Sequence, residues 1–191
     1  IEDVINRHDS IMGIYDPDKK VALIVDEWGT WWDQEPGSIP GHLYQQNTMR
    51  DALVAALSLN VFHRHTDRVK MTNIAQIANV LQSMILTKDD QMVLTPTYYV
   101  FKMYAPHQNA TVVPLDIETE RREVRGNRSV PTVSATASTK NGELNITLAN
   151  IDLDKAADVT IPLGVKAKLE GAEVLTAANI SDYNDFGEAE K

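Results

Sequence analysis

A continuous apolar run, Val21–Val25, constrains the fold of this chain most strongly. Five consecutive apolar residues indicate a strand buried on both faces, which is typical of a parallel sheet between layers of helices. Residues 1–12 before the run and Tyr44–His65 after it carry apolar side chains at helical spacing. A second short run, Val69–Ala75, predicts another buried strand, so this part of the chain predicts an α/β arrangement with parallel strands.

Two further helices are expected before the pattern changes. Ile77–Leu86 is predicted to form a short helix. Thr95 followed by Pro96 is typical of a helix start, with Thr as the N-cap and Pro at the first helical position. The α/β pattern therefore predicts a first unit over residues 1–105.

From about Pro106 the sequence alternates with a period of two, which is typical of antiparallel strands. Asn141-Gly142 predicts a tight hairpin of type I′. The strands predicted from this half are Val130–Thr139, Val159–Leu163 and Ala172–Thr176. Together they predict a β-sandwich over residues 106–191, and its polar last stretch, Ser181–Lys191, is expected to be frayed or truncated.

The composition excludes several classes of protein. The 191 residues are 43% apolar and 24% charged, as in folded globular proteins. With 18 basic and 27 acidic residues the net charge is −9, which disfavours nucleic-acid binding. No apolar run reaches the roughly 18–20 residues of a membrane helix, and the absence of cysteine excludes disulfides and thiolate metal sites. Because Ile1 opens directly into a helical pattern, we expect a longer parent sequence, and the localisation is not predicted.

Two adjacent carboxylates, Asp26 and Glu27, end the first predicted strand, where the active sites of α/β sheets and barrels lie. Side chains alternate along a strand, so the two are expected to point to opposite sides rather than act as a pair. Trp28, Trp31 and Trp32 follow, and indole faces suit the apolar C–H edges of sugar rings. The alternative interpretation is that Asp26 caps a turn and the tryptophans lie in the core.

Other polar residues are less specific. Gln76 follows the second predicted strand, where it either makes a structural hydrogen bond or binds a ligand hydroxyl. His63 and His65 are two positions apart and point away from each other on a helix, so they predict no metal site. No glycine-rich phosphate loop and no GxSxG segment occurs. The sequence therefore predicts neither a metal nor a nucleotide.

Three segments carry a family resemblance: VDEWGTWWDQEPG, LYQQNTMRDALVAALSLNVFHRHTDRVKMTNIAQIANVLQSMI and LTPTYYVFKMY. They resemble the C-terminal part of the α-L-arabinofuranosidases of glycoside hydrolase family 51, and the resemblance covers essentially the whole chain. It implies a (β/α)₈ TIM barrel followed by an antiparallel β-sandwich. Val21–Val25 and Val69–Ala75 would be the last two barrel strands, so the chain would hold those strands with their helices and the sandwich.

The resemblance also implies roles for three residues. Glu27 matches the catalytic nucleophile, Trp31 an aromatic residue lining the arabinose subsite, and Gln76 a sugar-binding glutamine. It implies a retaining enzyme that releases terminal arabinofuranosyl residues from arabinan- or arabinoxylan-type oligo- and polysaccharides, forms homo-oligomers and needs no cofactor. The family's acid/base is a Glu preceded by Asn, and this chain contains no Asn-Glu dipeptide. We therefore expect the chain alone to be inactive.

Two alternatives remain open from the sequence. In the first, the chain is a non-catalytic module whose β half binds carbohydrate or holds an oligomer together. The scarcity of aromatic residues between Pro106 and Ser181 gives sugar binding by that half little support. In the second, the chain belongs to a related barrel glycosidase that acts on a different pentose or on a glucan, because one barrel fold hosts many chemistries.

Overall fold

The computed structural model describes residues 1–126 and 128–188, and these contain three α-helices and nine β-strands. The helices are α1 (Glu2–Tyr15), α2 (Met49–Arg64) and α3 (Pro96–Tyr104). The strands are β1 (Leu23–Trp28), β2 (Val69–Ile74), β3 (Ile85–Lys88), β4 (Gln91–Leu94), β5 (Thr111–Val113), β6 (Arg121–Val124), β7 (Arg128–Pro131), β8 (Val133–Lys140) and β9 (Glu143–Asn150). One 3₁₀ turn, Ala105–His107, follows α3 directly.

The strands β1 and β2 form a parallel pair, which confirms the α/β pattern. Leu23 and Val25 pack into the core with α2, whereas the alternate residue Ile24 is 51% exposed. The prediction of a strand buried on both faces is therefore wrong, because no layer of the described residues covers the second face. No closed barrel is present in the part of the chain that the structure describes.

One apolar core joins the two halves of the chain. It comprises Ile5, Trp28, Ala52, Ala55, Ala56, Leu59, Phe62, Val69, Val100, Tyr104 and Ala149. Trp28 lies edge-on to Phe62, with ring centroids 5.3 Å apart, and stacks on Phe101 at 6.1 Å. Ala149 belongs to β9, so the core crosses the boundary predicted at residues 105 and 106, which stays a prediction.

The segment predicted as a helix over Ile77–Leu86 is not helical. Asn79 and Leu81 adopt positive φ angles of 60° and 50°, which interrupt helical geometry. The backbone of this segment instead pairs with Ile85, and the Asn79 side chain extends the pairing: its Oδ1 accepts the N–H of Thr87 at 2.7 Å and its Nδ2 donates to the Thr87 hydroxyl at 2.7 Å. The helix predicted from Tyr44 begins later, at Met49.

The antiparallel half contains the predicted hairpin. β8 and β9 pair from Val133↔Asn150 to Lys140↔Glu143, and β5 adds to the other side of β8. Asn141 and Gly142 both have positive φ angles, 54° and 86°, as a type I′ turn requires. β6 and β7 form a separate antiparallel pair.

The strands predicted at Val159–Leu163 and Ala172–Thr176 are wrong, because residues 151–188 contain no strand in the structure. Their apolar side chains stay largely exposed and find no partner strand that would fix an alternating pattern. This segment nevertheless completes α2: the N–H groups of Met49 and Arg50 donate to the carbonyls of Asp182 and Ile180 at 3.0 and 2.9 Å. The β-sandwich stays a prediction.

The described residues contain neither a membrane-spanning helix nor a cluster of metal-binding side chains. No helix in residues 1–126 or 128–188 has the length and apolarity needed to cross a membrane. In the same ranges, no three His, Asp or Glu side chains come together in a way that would hold a metal ion.

Candidate active site

A β-bulge presents Glu27 at the carboxyl end of β1. From Val25 to Trp28 the strand advances by three residues while β2 advances by two. Such an extra residue bends the strand and redirects its side chains, and bulges are frequent beside active sites. Asp26 and Glu27 lie in this bulge and are both exposed. The strict alternation from which opposite directions were predicted is thus interrupted at these two residues.

The carboxyl ends of β1 and β2 stay in contact beyond the strands. The N–H of Ala75 donates to the carbonyl of Trp28 at 2.8 Å. Gly29 follows with φ +147°, and a Cβ at this position would lie 3.3 Å from Oε1 of Gln82 and 3.4 Å from the carbonyl of Ala75. Glycine therefore fits this close crossing. Gln76, which follows through a cis peptide bond, is exposed at the same edge of the strand pair as Glu27.

The three tryptophans have different environments. Trp28 is 6% exposed and lies in the core, so the alternative interpretation is right for this residue. Trp31 is 71% exposed. Trp32 is 43% exposed but has polar partners: its indole Nε1 donates to Asp51 at 2.9 Å and the guanidinium of Arg50 lies 3.8 Å from its ring centroid. A cation over an indole face is attracted by the electron density of the ring.

The side chains of the three candidate site residues are free of protein partners. Among the described residues, Glu27, Trp31 and Gln76 make no side-chain hydrogen bond or ion pair. An exposed carboxylate, an indole face and an amide are thus available to a ligand at one end of the strand pair. A carboxylate can act as a nucleophile, and an indole and an amide can bind the C–H and O–H groups of a sugar.

The loop that bears Trp31 is held by buried amides. Oε1 of Gln82 accepts the backbone N–H of Thr30 at 2.9 Å, and its Nε2 donates to the Asp51 carbonyl at 2.6 Å. Oε1 of Gln45 accepts the N–H of Trp32 at 2.8 Å. Gln45 and Gln82 are almost fully buried, so these bonds are not exchanged with water.

Asp51 completes this network from the first turn of α2. Its fully buried carboxylate accepts the Thr30 hydroxyl at 2.7 Å and the indole N–H of Trp32 at 2.9 Å through Oδ1. Through Oδ2 it accepts the N–H of Thr48 at 2.8 Å and contacts Arg50 at 3.2 Å. The carboxylate therefore ties the start of the helix to the loop.

Sequence reasoning did not identify Asp51, Gln45 or Gln82. Thr48 and Asp51 do carry a visible signal, because Thr followed three residues later by an acid is a capping pattern. That signal predicts the helix start at Met49, yet it gives no hint of Thr30 and Trp32. Gln45 and Gln82 carry no signal, since glutamine is usually exposed.

Tyr44 directly precedes Gln45, which holds the loop that bears Trp31. Burial raises the pKa of its phenol, and the nearby carboxylates of Asp185 and Glu35 act in the same direction. The hydroxyl therefore stays protonated and able to donate a hydrogen bond at neutral pH.

Comparisons with known proteins agree on one family. Residues 26–191 match the family model described as the α-L-arabinofuranosidase C-terminal domain. Over 188 residues the chain is 64% identical to an intracellular exo-α-L-arabinofuranosidase of Bacteroides ovatus, which covers 97% of this chain and 37% of that protein. It is also 27% identical over 167 residues to α-L-arabinofuranosidase C of Emericella nidulans, covering 83% of this chain and 31% of that protein.

Solved structures give the same result. The crystal structure of the GH51 arabinofuranosidase from Xanthomonas axonopodis pv. citri matches with a TM-score of 0.77 and 52% identity, over 81% of this chain and 31% of that one. The GH51 α-L-arabinofuranosidase from Thermotoga petrophila matches with a TM-score of 0.63 over 81% of this chain and 35% of that one. At 22% identity this second likeness concerns the fold alone.

The strand pair and these matches place the chain among the arabinofuranosidases of glycoside hydrolase family 51. The chain belongs to the α-L-arabinofuranosidase C-terminal domain family. It spans about a third of the length of its curated relatives, 37% of the Bacteroides ovatus protein and 31% of the Emericella nidulans protein.

Proposed function

We propose that this chain supplies the nucleophile of a retaining α-L-arabinofuranosidase, which releases terminal arabinofuranosyl residues from arabinan- or arabinoxylan-type glycans. One observation carries the proposal: Glu27 is an exposed, unpartnered carboxylate in the bulge that ends β1. It occurs in a chain that is 64% identical to an exo-α-L-arabinofuranosidase.

In the proposed reaction the Glu27 carboxylate attacks the anomeric carbon of the arabinofuranosyl unit. The glycosidic C–O bond breaks as a second carboxylic acid, roughly 5–5.5 Å away, protonates the leaving oxygen. The product is a glycosyl ester of Glu27. The second carboxylate then removes a proton from water, the water attacks the anomeric carbon, and the carboxylate of Glu27 is released.

Trp31 and Gln76 bind and position the sugar in this proposal. The exposed indole of Trp31 offers an apolar face to the furanose ring, and the Gln76 amide offers two N–H donors and a carbonyl acceptor to its hydroxyls. A hydrogen bond between neutral groups contributes about 0.5–1.5 kcal/mol, so Gln76→Ala is expected to lower kcat/KM by about 2- to 12-fold.

The acid/base is proposed to come from a part of the enzyme outside these 191 residues. Retaining hydrolysis needs two carboxyl groups on either side of the bond, and the chain matches about a third of its relatives. Glu35, the next glutamate after Glu27, is occupied, since its Oε1 accepts the N–H of Gln46 at 3.3 Å. The chain alone is therefore expected to hydrolyse no arabinofuranoside. We expect the complete enzyme, rather than this chain alone, to form homo-oligomers.

The test uses a chimaera in which this chain replaces the matching 37% of the Bacteroides ovatus protein. Glu27→Gln keeps the shape of the side chain and removes the attacking charge. We expect kcat/KM on an aryl arabinofuranoside to fall by at least about 10³-fold, because the covalent route is lost. Asp26→Asn is the matched control, since it neutralises the neighbouring carboxylate of the same bulge, and it should cost less than about 10-fold.

Two results would contradict the proposal. Near-normal turnover by the Glu27→Gln chimaera would remove the nucleophile from this residue and leave the non-catalytic module as the better explanation. Turnover by the chain alone that is abolished by Glu27→Gln would show that a second acid lies within it. Light scattering on the active chimaera measures whether it is a homo-oligomer.

A further inference from the structure

We infer that Asp51 is a positioning residue that fixes the direction of Trp31 in the proposed arabinose subsite. The inference rests on the proposed function, because it assigns a task to a residue behind the same site. Asp51 itself is fully buried and touches no ligand position. Its effect on the substrate is transmitted through the two residues on either side of Trp31.

A single oxygen atom of Asp51 holds both neighbours of Trp31. Oδ1 accepts the hydroxyl of Thr30 at 2.7 Å and the indole N–H of Trp32 at 2.9 Å. The backbone between these two anchors contains one residue only. Asp51 therefore helps to set the direction of the Cα–Cβ bond of Trp31, together with Gln82, whose Oε1 lies 2.9 Å from the N–H and 3.1 Å from the hydroxyl of Thr30.

The Trp31 side chain depends on its backbone for its orientation. Its side chain is 71% exposed and makes no hydrogen bond among the described residues. Gln45 reinforces the same backbone, accepting the N–H of Trp32 at 2.8 Å and donating to the carbonyl of Thr30 at 3.3 Å. A binding residue contributes most when its orientation is fixed before the ligand arrives, because little entropy is then lost on binding.

Only a carboxylate satisfies the surroundings of residue 51. Donors approach from both sides: Thr30 and Trp32 at Oδ1, and the N–H of Thr48 with the guanidinium of Arg50 at Oδ2. An asparagine would turn its NH₂ group toward one of these two sets and leave donors facing donors. A helix cap would need only the bond between the Thr48 N–H and Oδ2. The bonds of Oδ1 to Thr30 and Trp32 are additional to capping.

Two conservative variants separate the loop from the helix start. Thr30→Val and Trp32→Phe each remove one donor to Oδ1 and leave Asp51 bound to Thr48 and Arg50. Thr30→Val also removes the 3.1 Å contact of the hydroxyl with Oε1 of Gln82, so Trp32→Phe is the cleaner of the two variants. In the active chimaera, we expect each to raise KM about 3- to 10-fold while kcat changes less than about 2-fold. Asp51→Asn, which disturbs both sides, should raise KM at least as much and also lower the Tm.

A double-mutant cycle with Trp31→Ala gives the readout that a merely structural residue would not move. Once the indole is absent its direction is irrelevant, so Thr30→Val and Trp32→Phe should each change KM by less than about 1.5-fold in that background. Tyr104→Phe is the matched control. It removes a hydrogen bond of 2.7 Å to Asn60 further along α2, and it should lower the Tm without changing KM.

The possible outcomes distinguish this inference from the proposed function. If Trp31→Ala raises KM but Thr30→Val and Trp32→Phe do not, or if their effects persist undiminished without the indole, the positioning role of Asp51 is wrong and the subsite remains. If Trp31→Ala leaves KM unchanged, the subsite itself is misplaced and both fail. Full activity of Glu27→Gln removes the proposed catalysis independently of either result.

Discussion

Both ends of α2 are held by buried polar side chains, but one set carries charge and the other does not. At the N-terminal end the donors of Thr30 and Trp32 converge on the carboxylate of Asp51. At the C-terminal end Asn60 donates to the hydroxyl of Ser134 at 3.0 Å, and Nδ1 of His63 lies 3.0 Å from the hydroxyl of Thr136. The first set holds an exposed loop and the second holds a sheet.

The difference determines how each end can fail. Several donors of the N-terminal set share the carboxylate of Asp51, so loss of Asp51 removes their common acceptor at once. The C-terminal set consists of hydroxyl, amide and imidazole groups that must remain neutral. Burial, with a smaller contribution from the nearby His107, lowers the pKa of His63 to about 4, and burial also lowers the pKa of His107. Acid should therefore weaken the sheet side of the helix before the loop side.

The largest expected effect is that of Asp51→Ala, which removes the acceptor shared by the Thr30 hydroxyl, the Trp32 indole and the Thr48 N–H. A total of about 3–5 kcal/mol is expected, because each buried donor left without a partner costs about 1–3 kcal/mol. Denaturant unfolding of the purified chain should show a loss of this size. Asp3→Ala is the control: Asp3 also lies in the first turn of a helix but is exposed, so about 0.5 kcal/mol or less is expected. Equal losses of stability in Asp51→Ala and Asp3→Ala would contradict this explanation.

The next effect is a loss of stability in acid through His63. The pKa of His63 is lower in the folded chain than in the unfolded chain, so between pH 6.5 and about 4 the unfolded state binds more protons. The free energy of unfolding therefore decreases as the pH is lowered through this range. The shift corresponds to at most about 2–3 kcal/mol, allowing for the partial exposure of the ring. Unfolding free energies at pH 7 and pH 4.5 measure it.

His63→Gln should remove most of this pH dependence, and the remainder belongs to His107. His42→Gln is the matched control, since it makes the same substitution at an exposed histidine and should change the unfolding free energy at pH 7 by about 0.5 kcal/mol or less. A pH profile that is the same in His63→Gln as in the unaltered chain would refute the assignment of the acid-sensitive end.

The smallest effect is expected for Tyr104→Phe at the neutral end. The Tyr104 hydroxyl donates to Oδ1 of Asn60 at 2.7 Å, and both groups are buried. Its removal should cost about 1–2 kcal/mol, because one neutral bond is lost and one acceptor is left unpaired. A loss of stability as large as that of Asp51→Ala would show that the neutral end of α2 contributes as much as the charged end.

Local pattern was sufficient for elements whose geometry is set by their own residues. The parallel pair β1–β2, the α3 start at Pro96 and the hairpin at Asn141-Gly142 were predicted correctly. The segment Ile77–Leu86 was not, because its path depends on distant side chains. Asn47, 34 residues from Leu81, donates to the carbonyl of that residue at 3.3 Å, and Gln82 reaches Thr30 and the Asp51 carbonyl.

The candidate site shows the same division. Glu27 and Trp31 were named as candidates because they follow a predicted strand end and match the family resemblance, and their roles stay predictions. Asp51 was not, because its task arises from bonds to Thr30 and Trp32, about 20 residues earlier in the chain, that only the folded chain brings within reach. The sequence thus points to candidate ligand-binding side chains at the strand end and misses the buried side chains that hold their loop.

The carbonyls of Ile180 and Asp182 that complete the start of α2 also impose an order on biosynthesis. A ribosome adding roughly 5–20 residues per second needs about 7–25 s to make the roughly 130 residues that separate them from Arg50. Throughout that interval the N–H groups of Met49 and Arg50 on the nascent chain face water. The helix end to which the loop bearing Trp31 is anchored is therefore completed only after Ile180 and Asp182 have been translated.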